Sequence, residues 1–165
     1  MSKTQENLTV AFAGESQANR KYLAFAAKAE SEGQAGLAKI FRVAAEGETV
    51  HALKHLATMG GVQETLENLK GAIAGETFEI EKMYPGFIAE LEVEETAAKI
   101  SFTNAEKVEE VHQKLFQDVL AKLEAGETVA DADYYVCGVC GYPAEGEAPE
   151  ICPICGAPRS QFKKV

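Results

Sequence analysis

Two carboxylate–imidazole pairs stand out in the sequence because they share the same spacing. Glu48 precedes His51 by three residues, and Glu109 precedes His112 by three, 61 residues further on. At this separation both side chains of a pair project from one face of a helix, about one turn apart. A carboxylate and an imidazole placed this way can hold one transition-metal ion together. A single pair arises by chance in many helices, so the interpretation depends on the repeat.

A second similarity occurs at the same offset. Residues 11–16 return in closely related form as residues 72–77, and each segment carries one isolated carboxylate, Glu15 or Glu76. The chain therefore contains two copies of a helical hairpin, each with a lone Glu on its first helix and a Glu-x-x-His on its second. This set of ligands is typical of a dinuclear iron or manganese site inside a four-helix bundle. Four carboxylates on the apolar sides of helices would be costly to bury unless cations accompany them.

Two residues near this predicted site break the repeat. Glu79 has no counterpart in the first copy, where Ala18 stands at the equivalent position. It could add a carboxylate to one metal only, or it could be an ordinary exposed helical residue. His55 lies one turn after the histidine of the first copy, but its counterpart is Phe116, which favours a packing role over a zinc pair.

Two tyrosines lie about two turns after the lone Glu of each copy. Tyr22 follows by seven residues and Tyr84 by eight. Core packing is the simplest role for both rings, and a phenol hydrogen-bonded to a ligand carboxylate is the alternative.

A different metal site is predicted at the C-terminal end. Four cysteines follow the pattern C-x2-C-x11-C-x2-C: Cys137, Cys140, Cys152 and Cys155. Gly141 and Gly156 follow the two pairs and allow tight turns that direct backbone N–H groups at the sulfurs. Such a short segment cannot form a sufficient core, so the metal must stabilise it. Four thiolates suit zinc or iron, and a structural zinc ribbon is the alternative to a redox centre.

The apolar periodicity predicts the elements that carry these residues. Four helices are expected, over residues 4–32, over 37–58, from Thr65 onwards, and over 93–125. Gly60 ends the second helix, Thr65 is the expected N-cap of the third with Asn68 three residues later, and Pro85 should kink or break the third helix. A polar connector, residues 127–135, then leads to the cysteines, which gives two domains, 1–130 and 131–165.

Composition limits the possible functions. The net charge of −10 disfavours nucleic acid and anionic membrane as partners. No apolar run approaches the ~18 residues of a membrane span, and the polar N-terminus is unlike a signal peptide. Without a secretory signal the cysteines are expected to be reduced and the protein to be cytoplasmic.

These motifs together match a known family. The matching segments are residues 12–18, Glu48-x-x-His51, Glu76-x-x-Glu79 with Met83, Tyr84 and Pro85, Glu109-x-x-His112, and the four cysteines. Over nearly its whole length the chain resembles the rubrerythrins. The resemblance implies a mainly α fold, in which a ferritin-like four-helix bundle is followed by a small, metal-bound rubredoxin-like β/loop domain. It also implies two non-haem irons in the bundle and one iron in the four-cysteine site, where zinc is possible after mis-metallation.

The resemblance also implies roles for the bundle residues. Glu48 and Glu109 would bridge the two irons. Glu15 would be a terminal ligand of the first iron, and Glu76 and His112 would be terminal ligands of the second.

Two ligands would exchange with oxidation state. His51 would bind the first iron when it is reduced, and Glu79 would replace it when the iron is oxidised. Tyr22 and Tyr84 correspond to tyrosines that lie beside the ligands in the family.

The activity that the resemblance implies is the reduction of hydrogen peroxide to water, with electrons relayed through the four-cysteine iron from a reductase or a rubredoxin. Family dimers are head-to-tail, with the rubredoxin-like iron of one chain near the di-iron site of the other. Two other functions remain open, a ferroxidase or iron-handling enzyme and a non-enzymatic interaction module with a zinc ribbon.

The connector between the second and third helices is unusually short. Ferritin-like bundles need a long crossover there, because these two helices run parallel. For the metal ligands of both helices to lie at the same height in the bundle, the connector would have to run back about 30 Å along the bundle axis, at ~1.5 Å per helical residue. Residues 60–65 span at most about 20–22 Å. We therefore predict a domain-swapped dimer, in which the first two helices of one chain pair with the last two of its partner.

Overall fold

The computed structural model describes residues 2–165, which form four long helical segments and a small sheet. The helices are α1 (Lys3–Ser31), α2 (Ala35–Thr58), α3 (Thr65–Phe78), a π-helical turn (Glu79–Met83), α4 (Tyr84–Ala89) and α5 (Thr96–Glu124). The strands are β1 (Tyr134–Cys137), β2 (Pro143–Glu145) and β3 (Phe162–Lys164), with a 3₁₀ turn at Arg159–Gln161. The chain divides into two compact units, one ending at Gln63 and one from Glu64 to Val165.

Helices α1 and α2 form a hairpin whose seam consists of small residues. The buried apolar residues of the two helices are Ala26, Ala29, Ala38, Ala45 and Ala52. Small side chains let the two backbones approach closely, but they bury little apolar area. Many of the larger apolar side chains of the hairpin are exposed: Val10, Leu23, Phe25, Leu37, Ile40, Val43, Val50 and Leu53. The hairpin therefore lacks a core for its own large side chains.

The ends of these helices follow recognisable local signals. The Ser2 hydroxyl accepts a hydrogen bond from the Gln5 N–H (3.2 Å) and caps the start of α1. Gly60 takes a left-handed conformation (φ 73°) just beyond α2, which lets the Gly61 N–H donate to the Leu56 carbonyl (2.9 Å). This agrees with the predicted end of the second helix.

The start of α3 corrects one prediction. Thr65 is the first helical residue, and the N-cap position is taken by Glu64, whose backbone is extended (φ −63°, ψ 151°). The expected Thr65 cap was therefore wrong by one residue. The connector between α2 and α3 keeps its expected length of six residues, 59–64.

Pro85 does not end the third helical segment. It lies in the first turn of α4, and the irregularity comes before it, as the π-helical turn. Proline cannot donate to the carbonyl four residues earlier, and its ring crowds that carbonyl. The wider π turn relieves this crowding and lets the helical path continue to Ala89.

The C-terminal strands form an antiparallel sheet in the order β2-β1-β3, with Tyr135 opposite both Ala144 and Lys164. The core beside the sheet consists of Cys137, Cys152 and Ala157. Among the described residues, no helix is long and apolar enough to cross a membrane.

Candidate metal centres

The first unit brings three of the predicted ligands together. Glu15 of α1 and Glu48 and His51 of α2 place ligand atoms within 4.8 Å of one another. His51 Nδ1 lies 3.0 Å from Glu48 Oε2 across one helical turn. The Glu48 side chain is 19% exposed and the His51 side chain 58%, so this triad opens towards a surface of its unit.

The second unit repeats this arrangement. Glu76 of α3 and Glu109 and His112 of α5 also place ligand atoms within 4.8 Å of one another. His112 Nδ1 lies 2.7 Å from Glu109 Oε2 and 3.9 Å from Glu76 Oε1. The predicted repeat is therefore a repeat of ligand geometry as well as of sequence.

Electrostatics in the second triad favour a bound cation. Burial and the nearby Glu109 carboxylate raise the pKa of Glu76 to about 7, against the lowering effect of His112. Burial and Glu109 also raise the pKa of Glu79, and burial together with the same carboxylate raises the pKa of Tyr84. Clustered carboxylates repel each other, and a divalent cation removes that repulsion. The donor set therefore fits a metal ion.

Glu79 lies at the first position of the π-helical turn. It is close enough to Glu109 and His112 for their charges to act on it, but it is not a member of the Glu76 triad. His55 belongs to no candidate metal group in the part of the chain that the structure describes. The assignments of Glu79 and His55 remain predictions.

The π turn accommodates one residue that the second copy has in addition to those of the first copy. Glu15 and Phe41 correspond to Glu76 and Phe102 at an offset of 61 residues. Between Glu76 and Phe102, however, Tyr84 corresponds to Tyr22 at an offset of 62. A π turn accommodates one extra residue without ending the helix.

As a result, both copies keep the same cluster of three aromatic rings. The clusters are Tyr22–Phe25–Phe41 and Tyr84–Phe87–Phe102. Ring centroids of the two phenylalanines are 5.6 Å apart in each cluster, and the tyrosine centroids lie 6.2–6.4 Å from the phenylalanines. Because of the insertion, Glu79 occupies an irregular turn while Tyr84 keeps its place relative to the triad.

Polar links beside the ligands were not foreseen from the sequence. In the first unit, the Asn19 amide donates to the Ala45 carbonyl (2.7 Å) and to Thr49 Oγ1 (2.8 Å). In the second, the Gln113 amide donates to Thr77 Oγ1 (2.7 Å). Thr49 and Gln113 each directly follow a predicted ligand, so these bonds join α1 to α2 and α3 to α5 beside the triads. The available signal in the sequence was a polar, uncharged residue directly after a predicted ligand.

The four cysteines form a compact tetrathiol group. The Cys137 and Cys155 sulfurs are 3.8 Å apart, and those of Cys140 and Cys152 are 3.6 Å apart. A tetrahedron with metal–sulfur bonds of about 2.3 Å has edges of about 3.8 Å. The group therefore fits a tetrahedral metal ion.

Each cysteine pair sits in the same tight turn. The Gly141 N–H donates to the Cys137 carbonyl (2.9 Å), and the Gly156 N–H donates to the Cys152 carbonyl (3.0 Å). Both glycines have positive φ, 90° and 76°, which other residues rarely adopt. The turns that the sequence predicted after each pair are confirmed.

The thiols differ in acidity. Burial alone would raise the pKa of Cys137, but N–H groups of Val139 and Cys140 and the neighbouring thiols lower it to about 7. Burial raises the pKa of Cys140 and of Cys155. One thiolate therefore forms easily, and a cation would favour loss of the remaining protons.

Comparison with known proteins agrees with these observations. Residues 6–120 match the model of the rubrerythrin family, and residues 135–163 match that of the rubrerythrin rubredoxin-like domain. The chain belongs to the rubrerythrin family. It is 36% identical to the rubrerythrin of Porphyromonas gingivalis, covering 99% of this chain and 90% of that protein. It is 34% identical to the rubrerythrin of Nitratidesulfovibrio vulgaris, covering 98% and 94%.

A solved structure agrees with this assignment. The fully reduced, all-ferrous state of nigerythrin aligns with a TM-score of 0.57 at 30% identity, covering 100% of this chain and 88% of that chain. The predicted fold class is confirmed, a ferritin-like four-helix bundle followed by a rubredoxin-like domain. The predicted cofactors are also confirmed at the level of the family, a di-iron site and a four-cysteine site.

Proposed function

We propose that the protein reduces hydrogen peroxide to water: H2O2 + 2 H⁺ + 2 e⁻ → 2 H2O. The observation that supports this most is the presence, in one chain, of two carboxylate–histidine triads and a tetrathiol site. The two triads would hold two adjacent irons, which would supply the two electrons that peroxide reduction requires. Cys137, Cys140, Cys152 and Cys155 would hold an iron that relays electrons one at a time from a reductase or a rubredoxin. An iron-storage protein would not need such a relay.

The family resemblance implies a metal-binding role for each of the predicted ligands in the bundle. Glu48 and Glu109 would hold both irons, and Glu15, Glu76 and His112 would each hold one. Carboxylates can adjust to a rise in metal charge, because they are hard anionic donors.

The exchange of His51 for Glu79 is the second part of the proposal. His51 is the most exposed member of its triad, which supports a role as an exchangeable ligand. Glu79 lies on a π turn, which is an irregular and readily adjusted part of a helix. We propose that the phenols of Tyr22 and Tyr84, whose rings are held in the aromatic clusters, hydrogen-bond carboxylates that bind the irons.

We further propose that one di-iron site is shared between two chains. Thr58 ends α2 ten residues after Glu48, and α3 begins at Thr65, eleven residues before Glu76. If α2 and α3 run parallel with both triads at the same height along the bundle axis, the connector must run back about 30 Å along that axis. Six connecting residues reach at most about 20–22 Å. The exposed apolar side chains of the α1–α2 hairpin also require helices from elsewhere to cover them.

A linker insertion tests the domain swap. About fifteen Gly/Ser residues inserted between Gly61 and Val62 should convert the dimer into a monomer that keeps its iron, because the chain could then close its own bundle. The same insertion between Asp131 and Ala132, outside the helices, should leave the dimer intact. Size-exclusion chromatography with light scattering gives the masses, and iron analysis gives the metal content. An unmodified protein that is monomeric with a full di-iron complement would exclude the swap.

Rapid mixing tests the peroxidase proposal. The reduced iron-loaded protein is mixed anaerobically with one equivalent of peroxide per di-iron site while the ferric–thiolate absorbance is followed. We expect that absorbance to return rapidly, with no oxidative damage to the protein. Reaction with O2 and added ferrous ions but not with peroxide would indicate a ferroxidase. A protein that stays colourless after iron loading would indicate a zinc-ribbon module.

A further inference from the structure

A hydrogen bond between two side chains joins α3 to α5 beside the second triad. The Gln113 amide donates to Thr77 Oγ1 (2.7 Å), and Thr77 Oγ1 donates in turn to the Ile73 carbonyl (2.6 Å). Thr77 directly follows the predicted ligand Glu76 in the sequence. Gln113 directly follows the predicted ligand His112. The bond therefore fixes the spacing of the two helices at the level of one ligand from each helix.

The first unit cannot form the same bond. At the offset of 61 residues, Ser16 takes the place of Thr77, but Ala52 takes the place of Gln113. The Ser16 hydroxyl donates to the Phe12 carbonyl (2.7 Å), and an alanine side chain has no group that could donate to this hydroxyl. A cavity of about 170 Å³ is lined by Ser16 and Ala52, among other residues. The first unit thus has a cavity where the second unit has a polar cross-link.

The cross-link that the first unit does have lies beside a different ligand. Both donors of the Asn19 amide are used, one by the Ala45 carbonyl and one by Thr49 Oγ1. Thr49 follows Glu48, whereas the residue after His51 is the alanine at position 52. The histidine side chain of this triad is 58% exposed, and that of the second triad is 33% exposed. The histidine of the first triad is therefore the less restrained of the two.

We propose that the Gln113–Thr77 hydrogen bond makes the two triads unequal metal positions. It holds the second triad in one geometry, so that this triad fills with metal first, while the first triad stays adjustable and fills second. A ligand set that is already ordered binds more tightly, because less conformational freedom is lost when the ion binds. Thr77 and Gln113 are positioning residues, since they act through the ligands beside them.

This inference rests on the metal centre of the proposed function and adds an order of filling to it. One fixed and one adjustable position suit the proposed exchange of His51 for Glu79, because the rearrangement is then confined to one metal. The bond also anchors the last turn of α3 at Thr77, directly before the π turn that begins at Glu79.

Zinc titration followed by NMR tests the order of filling. The chain has three histidines, so ¹⁵N-labelled histidine gives ring signals for His51, His55 and His112. Protein whose tetrathiol site already holds zinc is titrated with further zinc. We expect the His112 signals to shift during the first added equivalent per chain and the His51 signals during the second. His55 belongs to no candidate metal group among the described residues and is the internal reference.

Substitutions of the two partners test the hydrogen bond itself. Gln113→Ala and Thr77→Val each remove one partner and should weaken zinc binding at the second triad by about tenfold, since loss of a group beside the ligands costs about 10–100-fold in metal affinity. Thr77→Ser keeps the hydroxyl and should behave as wild type. Gln117→Ala, at an exposed position one turn further along α5, is the matched control and should also behave as wild type.

The reciprocal substitution installs the missing amide in the first unit. In Ala52→Gln the longer side chain would enter the cavity, where its amide would donate to the Ser16 hydroxyl. We expect the His51 and His112 signals of this variant to shift together, because both triads would then be cross-linked beside their histidines.

Failure of this inference can be distinguished from failure of the proposed function. If neither His51 nor His112 responds to zinc, the proposed metal centre fails and the inference fails with it. If both respond but His51 shifts first or the two shift together in the wild type, only the inference is overturned. An unchanged order and affinity in both Gln113→Ala and Thr77→Val would also overturn it. A wild type that fills in the expected order but does not reduce peroxide would contradict the peroxidase proposal alone.

Discussion

Glu109→Gln is expected to remove most of the iron from the bundle and to lower peroxide turnover by at least about 100-fold. Loss of a group in the outer shell of a metal site already costs 10–100-fold, and Glu109 is proposed to be a bridging ligand. The side chain is 16% exposed and lies 2.7 Å from His112 Nδ1. A neutral amide keeps the shape of the side chain, but it cannot supply negative charge to two cations. Iron analysis and steady-state peroxide consumption measure the two effects.

Its neighbour provides the matched control. Glu110→Gln makes the same substitution one residue along α5, at an exposed position outside the triad. Iron content and turnover should be unchanged there, because surface substitutions of this kind have small effects. The two variants have the same net charge and composition, so a difference between them reports the site alone. Full iron content and full turnover in Glu109→Gln would exclude its role as a bridging ligand.

Removing the metal from the tetrathiol site is expected to unfold residues 134–164 while the helices persist. The core of this segment is only Cys137, Cys152 and Ala157, with partly buried side chains around it. So small a core supplies little stability of its own, whereas binding of a structural tetrahedral metal is worth about 10–16 kcal/mol in small metal-binding peptides. Cys152→Ser should therefore cause loss of amide-exchange protection in the three strands, with protection retained in α1 and α2.

A control substitution and a replacement of iron by zinc make this test specific to the metal site. Ser160→Ala, at an exposed position in the 3₁₀ turn, should keep full protection. Zinc in place of iron should restore protection in the wild-type chain, because the fold depends on tetrahedral thiolate coordination and not on redox chemistry. Protected strands in the metal-free protein would show that packing alone is sufficient.

Local features of this protein could be predicted from its sequence. The three-residue spacing of Glu48 and His51 places both on one helical face wherever that helix lies. The turns after the cysteine pairs need only glycine and a few backbone hydrogen bonds, and Gly141 and Gly156 confirm them. Helix ends were predicted to within a few residues, since caps depend on nearby side chains.

The extra residue in the second copy is a feature whose structural effect could not be predicted from the sequence. The change from a 61-residue to a 62-residue offset is present in the sequence, in the positions of Tyr22 and Tyr84. Pro85 was expected to interrupt the helix, but the irregularity is a π turn at Glu79–Met83. The position of the irregularity reflects both the crowding by Pro85 and the packing of Tyr84 in its aromatic cluster, where one more residue had to be accommodated.

The sequence by itself determined which residues can bind metal, how they are spaced on their helices, and that the chain contains two similar hairpins and a tetrathiol domain. The tertiary structure decided which of these features meet. It brought Glu76 to Glu109 across two helices, and it placed Gln113 within hydrogen-bond distance of Thr77. The physical reason is the distance along the chain over which each kind of interaction acts. Spacing and turns are governed by hydrogen bonds over a few residues, whereas contacts between distant segments depend on the shapes of whole surfaces, which no short motif records.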